Sequence, residues 1–101
     1  MRRAIPEKAV TASIRQLLKT FGIFHWKVAQ GLGCVPGVPD IIGVYKGRFL
    51  GIEVKAAGGV LSDHQKNFID RINAEGGIAF VSKSLDDVIE NLGLGDRFLV
   101  R

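Results

Sequence analysis

The 101-residue chain has one cysteine, Cys34, so it can build neither an internal disulfide framework nor a thiolate zinc cluster. That fits a reducing, cytoplasmic setting. No stretch reaches the ~18 consecutive apolar residues that a membrane-spanning helix requires. Arg2 and Arg3 are followed by Glu7 and Lys8, where the apolar core of a secretory signal belongs. No repeat, low-complexity tract or linker is present, and no Walker loop, HExxH, GxSxG or zinc-finger spacing occurs. The length leaves room for one domain and excludes a TIM barrel or a full dinucleotide-binding enzyme. Acidic residues are scarce in one half. Residues 1–55 carry nine basic side chains against three acidic ones, Glu7, Asp40 and Glu53, whereas residues 56–101 carry five basic and seven acidic. The first half is therefore the expected face for a polyanion.

What is present is the material of one modest core. The residues are 47% hydrophobic and 24% charged, which excludes disorder. Val10, Ile14, Leu17, Leu18 and Phe21 recur at helical spacing, predicting a helix over 6–21 with Pro6 in its first turn and Gly22 as its stop. Residues 23–29 read as a short strand carrying Phe24 and Trp26. Residues 30–39 are uncharged and rich in Gly and Pro, so they form a loop with accessible backbone N–H groups. Strands are predicted over 40–45 and 48–55, joined by Lys46-Gly47. Ser62 is placed as a helix N-cap with Gln65 at the capping-box position, and that helix runs to about Glu75. A strand over 78–81, a helix from Ser84 or Leu85 to near Gly93, and a short strand at Phe98–Val100 complete the pattern. The order α-β-β-β-α-β-α predicts an α/β fold with a mixed sheet.

The hairpin gathers the chemistry. With Lys46 and Gly47 as the turn, Tyr45 pairs with Arg48, Ile42 with Gly51 and Asp40 with Glu53. Opposed residues share a face, with Cβ atoms about 4.5–5.5 Å apart. Two carboxylates at that distance repel unless a positive charge lies between them. Lys55, two residues after Glu53, points to the same face, while Leu50, Ile52 and Val54 point to the other. Mg²⁺ takes oxygen ligands, commonly one or two carboxylates completed by water and substrate phosphate. Lys55 beside such a site would orient or deprotonate a water or stabilise transition-state charge. Gly51, diagonal to Asp40, is expected to leave room there. Trp26 reads as a core residue, Cys34 has no acid/base partner, and His25 and His64 do not form a metal pair.

Gly37-Val38-Pro39-Asp40 followed by Glu53-Val54-Lys55 resembles the PD-(D/E)xK nuclease signature. With Glu7 in the first helix, Trp26-Lys27 before the loop and Gln65 opening the next helix, residues 5–82 resemble the VRR-NUC (virus-type replication-repair nuclease) branch. The resemblance implies a PD-(D/E)xK nuclease-like fold, with a central mixed sheet flanked by helices in one domain over residues 1–101. It also implies Mg²⁺- or Mn²⁺-dependent hydrolysis of DNA phosphodiesters to 5′-phosphate and 3′-hydroxyl ends. Asp40, Glu53 and the Val54 carbonyl would hold the metal, with Glu7 joining directly or through water. Lys55 would be the catalytic lysine. Gln65 would orient Lys55, the water or a phosphate. The residues themselves also allow Glu7 as a dipole-stabilising carboxylate and Gln65 as a capping partner. Arg15, Lys19, Lys27, Lys46 and Arg48 are candidate phosphate contacts. A catalytic domain this compact is expected to work as a homodimer, which would suit a four-way (Holliday) junction in bacterial or phage DNA repair. A flap- or duplex-directed nuclease and a non-catalytic DNA-binding module are the alternatives.

Overall fold

The computed structural model describes residues 5–29, 31 and 34–95; the strand expected at Phe98–Val100 lies outside them. The described elements are α1 (Glu7–Thr20), β1 (His25–Lys27), β2 (Ile41–Tyr45), β3 (Arg48–Val54), α2 (Asp63–Ala74), β4 (Ile78–Ser82) and α3 (Leu85–Leu92). Pro6 lies one position earlier than expected. It is the N-cap of α1, and its carbonyl accepts from the N–H groups of Ala9 and Val10 at 3.0 and 3.1 Å. β1 is only three residues long, shorter than its hydrophobic pattern suggests. It is an edge strand, and short edges limit unwanted pairing.

The sheet runs β1-β2-β3-β4, antiparallel except for the parallel β3–β4 pair that α2 connects. Lys46 and Gly47 take positive φ values of 51° and 78°, the two-residue turn whose twist matches a hairpin. That turn fixes the predicted register, with Tyr45 opposite Arg48, Ile42 opposite Gly51 and Ile41 opposite Ile52.

Helices pack on both faces of the sheet. Val10, Ile14 and Leu18 of α1 and Val88 and Leu92 of α3 pack on Ile41, Leu50, Ile52 and Val54. On the opposite face Ile69 and Ile72 of α2 pack on Ala79, with Phe68 and Val81 at the margin. This second layer corrects the expectation for Gly51. A Cβ there would meet Pro39 Cγ at 3.0 Å and Ile72 Cδ1 at 3.1 Å, so the position admits helix packing and leaves no open space beside the site. Among the described residues no helix is long and apolar enough to cross a membrane.

The 34–39 segment is seated on the start of α2. Gly37 has φ 84°, and a Cβ there would collide with the backbone carbonyl of His64. Only glycine satisfies both the left-handed backbone and the close approach. Gly37→Ala is therefore expected to destabilise the protein by about 2–4 kcal/mol, combining backbone strain with overpacking. Urea unfolding followed by circular dichroism measures this, and an unchanged midpoint would contradict it.

Candidate active site

β3 ends where two helix N-termini and the incoming 34–39 segment meet, and Glu53 lies under that junction at 3% exposure. Its Oε2 accepts from Gln65 Nε2 at 3.2 Å and lies 4.0 Å from Lys55 Nζ, the latter side chain being 17% exposed. Gln65 has two jobs at once. Its Oε1 accepts from the Ser62 N–H at 2.9 Å, its own N–H donates to Ser62 Oγ at 3.2 Å, and its amide nitrogen reaches the carboxylate. The capping box locks the side chain, and the locked side chain then holds Glu53. The expected capping role is present; the side chain the amide contacts is Glu53, not Lys55, because the box fixes the amide over β3 and its donor faces the carboxylate.

Asp40 sits one residue before β2. Its Oδ2 accepts from the Val54 N–H at 2.8 Å, continuing the hairpin register by a side chain where the backbone ladder stops. Within an extended strand the N–H and C=O of one residue point to the same side. The Val54 carbonyl is thus directed toward the Asp40 side, while Lys55 N–H bonds Ser82 O of β4 at 3.0 Å.

The electrostatics are those of crowded carboxylates. Glu53 is pushed up from 4.5 to about 8, first by burial, then by the charge of Asp40 and a hydrogen bond shared with it, and further by Glu7. Lys55 opposes the shift. With both carboxylates ionised no proton lies between them, and Glu53 Oε1 is buried without a partner. A proton or a cation relieves that state. The donor set suits a hard divalent ion: two carboxylates and one backbone carbonyl, with positions left for water and phosphate. Among the described residues no three His, Cys, Asp or Glu side chains are grouped tightly enough to bind a metal by themselves. Glu7, exposed in the first turn of α1, therefore acts on Glu53 by charge at a distance.

The candidate phosphate contacts separate. Arg15 and Lys27 line one cleft with Asp40 and Glu7, joined by Lys8, which the sequence reading missed. Its signal was present as the helical spacing from Lys8 to Arg15, two turns along one face. Lys19 lies one turn beyond Arg15 and does not line that cleft. Lys46 is over the Tyr45 ring at the hairpin tip, 5.3 Å from its centroid. Arg48 braces the start of β4, donating from Nε to Gly76 O at 2.9 Å and from Nη2 to Gly77 O at 3.1 Å. Trp26 is a second correction. It is 46% exposed and packs at 5.5 Å on Phe24 outside the core, because α2 covers only the β3–β4 half of its sheet face.

The raised Glu53 has a thermodynamic consequence. Ionising it costs more in the folded protein than in the unfolded chain, so cation-free stability is full below pH ~4.5 and falls as pH rises toward about 8. Glu53→Gln is expected to remove that slope and to raise the cation-free Tm at pH 8 by roughly 5–10 °C. Thermal melts in chelator from pH 5 to 9 read both effects, and parallel curves for the two proteins would contradict the assignment.

Comparison with known proteins agrees with this geometry. The VRR-NUC domain model matches residues 3–86. A solved structure described as a VRR_NUC domain protein superposes with a TM-score of 0.74, covering 90% of this chain and 88% of that one at 24% identity, which establishes likeness of fold. No curated protein matches the chain. The family match over most of the length, on a fold that brings Asp40, Glu53 and Lys55 together, means that the chain belongs to the VRR-NUC family of nucleases.

Proposed function

We propose that this protein is a divalent-cation-dependent DNA endonuclease that cuts branched DNA, four-way junctions in particular, as a homodimer. The observation that carries the catalytic part is the unpartnered, buried Glu53 Oε1 beside Asp40, with Lys55 4.0 Å from the other oxygen. Asp40, Glu53 and the Val54 carbonyl are the residues that would hold Mg²⁺ or Mn²⁺, and Glu7 would contribute through water. A bound divalent ion supplies Lewis acidity at the phosphoryl group and lowers the pKa of water. The chain's own groups do the positioning. Gln65 fixes the Glu53 carboxylate, and Asp40 is fixed by the Val54 N–H. The Lys55 ammonium, held near the carboxylate, orients the attacking water and offsets charge that develops on the phosphoryl oxygens. In-line attack on phosphorus would break the P–O3′ bond, leaving 5′-phosphate and 3′-hydroxyl ends.

The homodimer reading rests on a different feature. The register places Phe24, Val44 and Phe49 in one row and Trp26 in the next, all on one sheet face beside edge strand β1. Their exposures are 69%, 46%, 46% and 46%. A contiguous apolar strip on an edge of a small protein marks an association surface. Two copies joined there would present paired sites to a two-fold symmetric junction.

Purified protein given labelled junction, flap and linear duplex DNA with Mg²⁺ or Mn²⁺ is expected to cut the junction fastest and to be inert in chelator. Lys55→Ala should lower kcat on the order of 10²–10³-fold, with folding intact by circular dichroism. Undiminished cutting by Lys55→Ala or by Asp40→Ala would overturn the catalytic assignment. Binding without cutting by the unaltered protein would make it a passive DNA-binding module. Sedimentation should give a dimer that Trp26→Glu with Val44→Glu converts to monomer, and a monomeric unaltered protein would remove the homodimer reading.

A further inference from the structure

We infer that the cleft between α1 and β1 is a second phosphate site, holding a backbone phosphate of the cleaved strand beside the scissile one. The inference rests on the reading of Asp40 and Glu53 as the scissile-phosphate site, and it deepens that reading by stating how the strand enters. The cleft has a volume of about 390 Å³ and is lined by Glu7, Lys8, Thr11, Ala12, Arg15, Lys27 and Asp40. Asp40 belongs to both features, so the cleft opens directly from the carboxylate pair.

The lining has a built-in polarity. Glu7, Lys8, Thr11, Ala12 and Arg15 fall on one face of α1, and Arg15 is eight positions after Glu7, about 12 Å along the axis. Thr11 Oγ1 is tied to the Glu7 carbonyl at 3.0 Å, and Ala12 has no more than a methyl group. The middle of the cleft is therefore lined by short side chains that carry no charge. Across from it, Lys27 leaves β1 next to Asp40, since Lys27 pairs with Ile41 and Val28 N–H bonds the Asp40 carbonyl at 2.8 Å. One end carries the carboxylates and the other the guanidinium of Arg15.

These cations are uncommitted. Arg48 and Arg71 are engaged by carbonyls and by Glu75, and Lys55 is beside Glu53. Among the described residues the side chains of Lys8, Arg15 and Lys27 make no hydrogen bond or ion pair, and Arg15 Nε is buried without a partner. Arg15 lines the cleft with a guanidinium whose buried Nε–H is unsatisfied, and such a group calls for an oxyanion acceptor. Glu7 and Asp40 do not serve, since neither is bonded to it. The acceptor consistent with a cleft that starts at the scissile site is the next phosphate of the same strand. That site would fix the strand's direction across the protein and place the scissile bond over Glu53.

The test measures binding and position separately. In chelator, where cleavage does not intervene, fluorescence anisotropy with labelled junction DNA gives Kd against salt. Arg15→Gln and Lys27→Gln should each weaken binding about tenfold and reduce the slope of log Kd on log salt by about 1. Lys27→Arg should restore most of the slope, and Lys46→Asn, at the far hairpin tip, should match the unaltered protein. With Mg²⁺, neutral methylphosphonates are then placed one at a time around the cut. One position within two phosphates of the scissile bond should raise KM for the unaltered protein and have no effect in the Arg15→Gln, Lys27→Gln double variant. Unchanged salt slopes, or no position that is silent in the double variant, would overturn the inference. Reduced slopes in a protein that never cuts would instead leave the phosphate site standing and defeat the catalytic reading.

Discussion

Everything at the active end of this molecule depends on keeping one carboxylate, Glu53, out of water next to another. Burial alone makes that arrangement unfavourable, and Asp40 makes it worse. The fold holds it by surrounding the pair with fixed donors: the Gln65 amide, the Val54 N–H and the Lys55 ammonium. Each donor is itself immobilised by backbone structure. Gln65 is locked by a capping box, Val54 is held in β3 opposite Ser82 of β4, and the Lys55 main chain is bonded to β4. The stored repulsion is what a proton, or the proposed cation, would relieve.

The same constraint explains why α2 and the 34–39 segment pack as they do. Gly37 approaches the first turn of α2 more closely than any side chain permits, and Asp40, three residues on, and Gln65, in that turn, both act on Glu53. Pro39 and Ile72 fill the space over Gly51, so the sheet face beside the carboxylates is dry where α2 covers it. Where α2 stops, the face continues as the exposed Phe24, Trp26, Val44 and Phe49 strip. One sheet face thus carries a carboxylate site at one end and an apolar surface at the other. The cationic cleft of Lys8, Arg15 and Lys27 opens at the α1 side of the site.

Local rules made much of this readable. A two-residue Lys-Gly turn sets a hairpin register, and the register sets which side chains share a face, so Asp40, Glu53 and Lys55 followed from the residues between 40 and 55. The Ser62–Gln65 capping box needs only a three-residue spacing. What misled was any inference that required the position of a non-adjacent element. Gly51 signalled space to an isolated hairpin but packing to a hairpin under α2. Trp26 signalled core to a strand of unknown neighbours and is exposed because α2 does not reach over β1. Arg48 reads from the sequence as a surface charge and is bonded to the carbonyls of Gly76 and Gly77, 28 and 29 residues away.

The sequence by itself determined the order of elements, the hairpin register, the carboxylate–lysine cluster and the family, since these rest on spacings within a turn of helix or a few residues of strand. Only the tertiary structure decided that Gln65 holds Glu53, that Arg15 and Lys27 share a cleft with Asp40 while Lys46 and Arg48 do not, and that an apolar strip stays uncovered. Those outcomes depend on distances between elements far apart in the chain. Such distances are set by how side-chain volumes pack between helix and sheet, which no local pattern encodes.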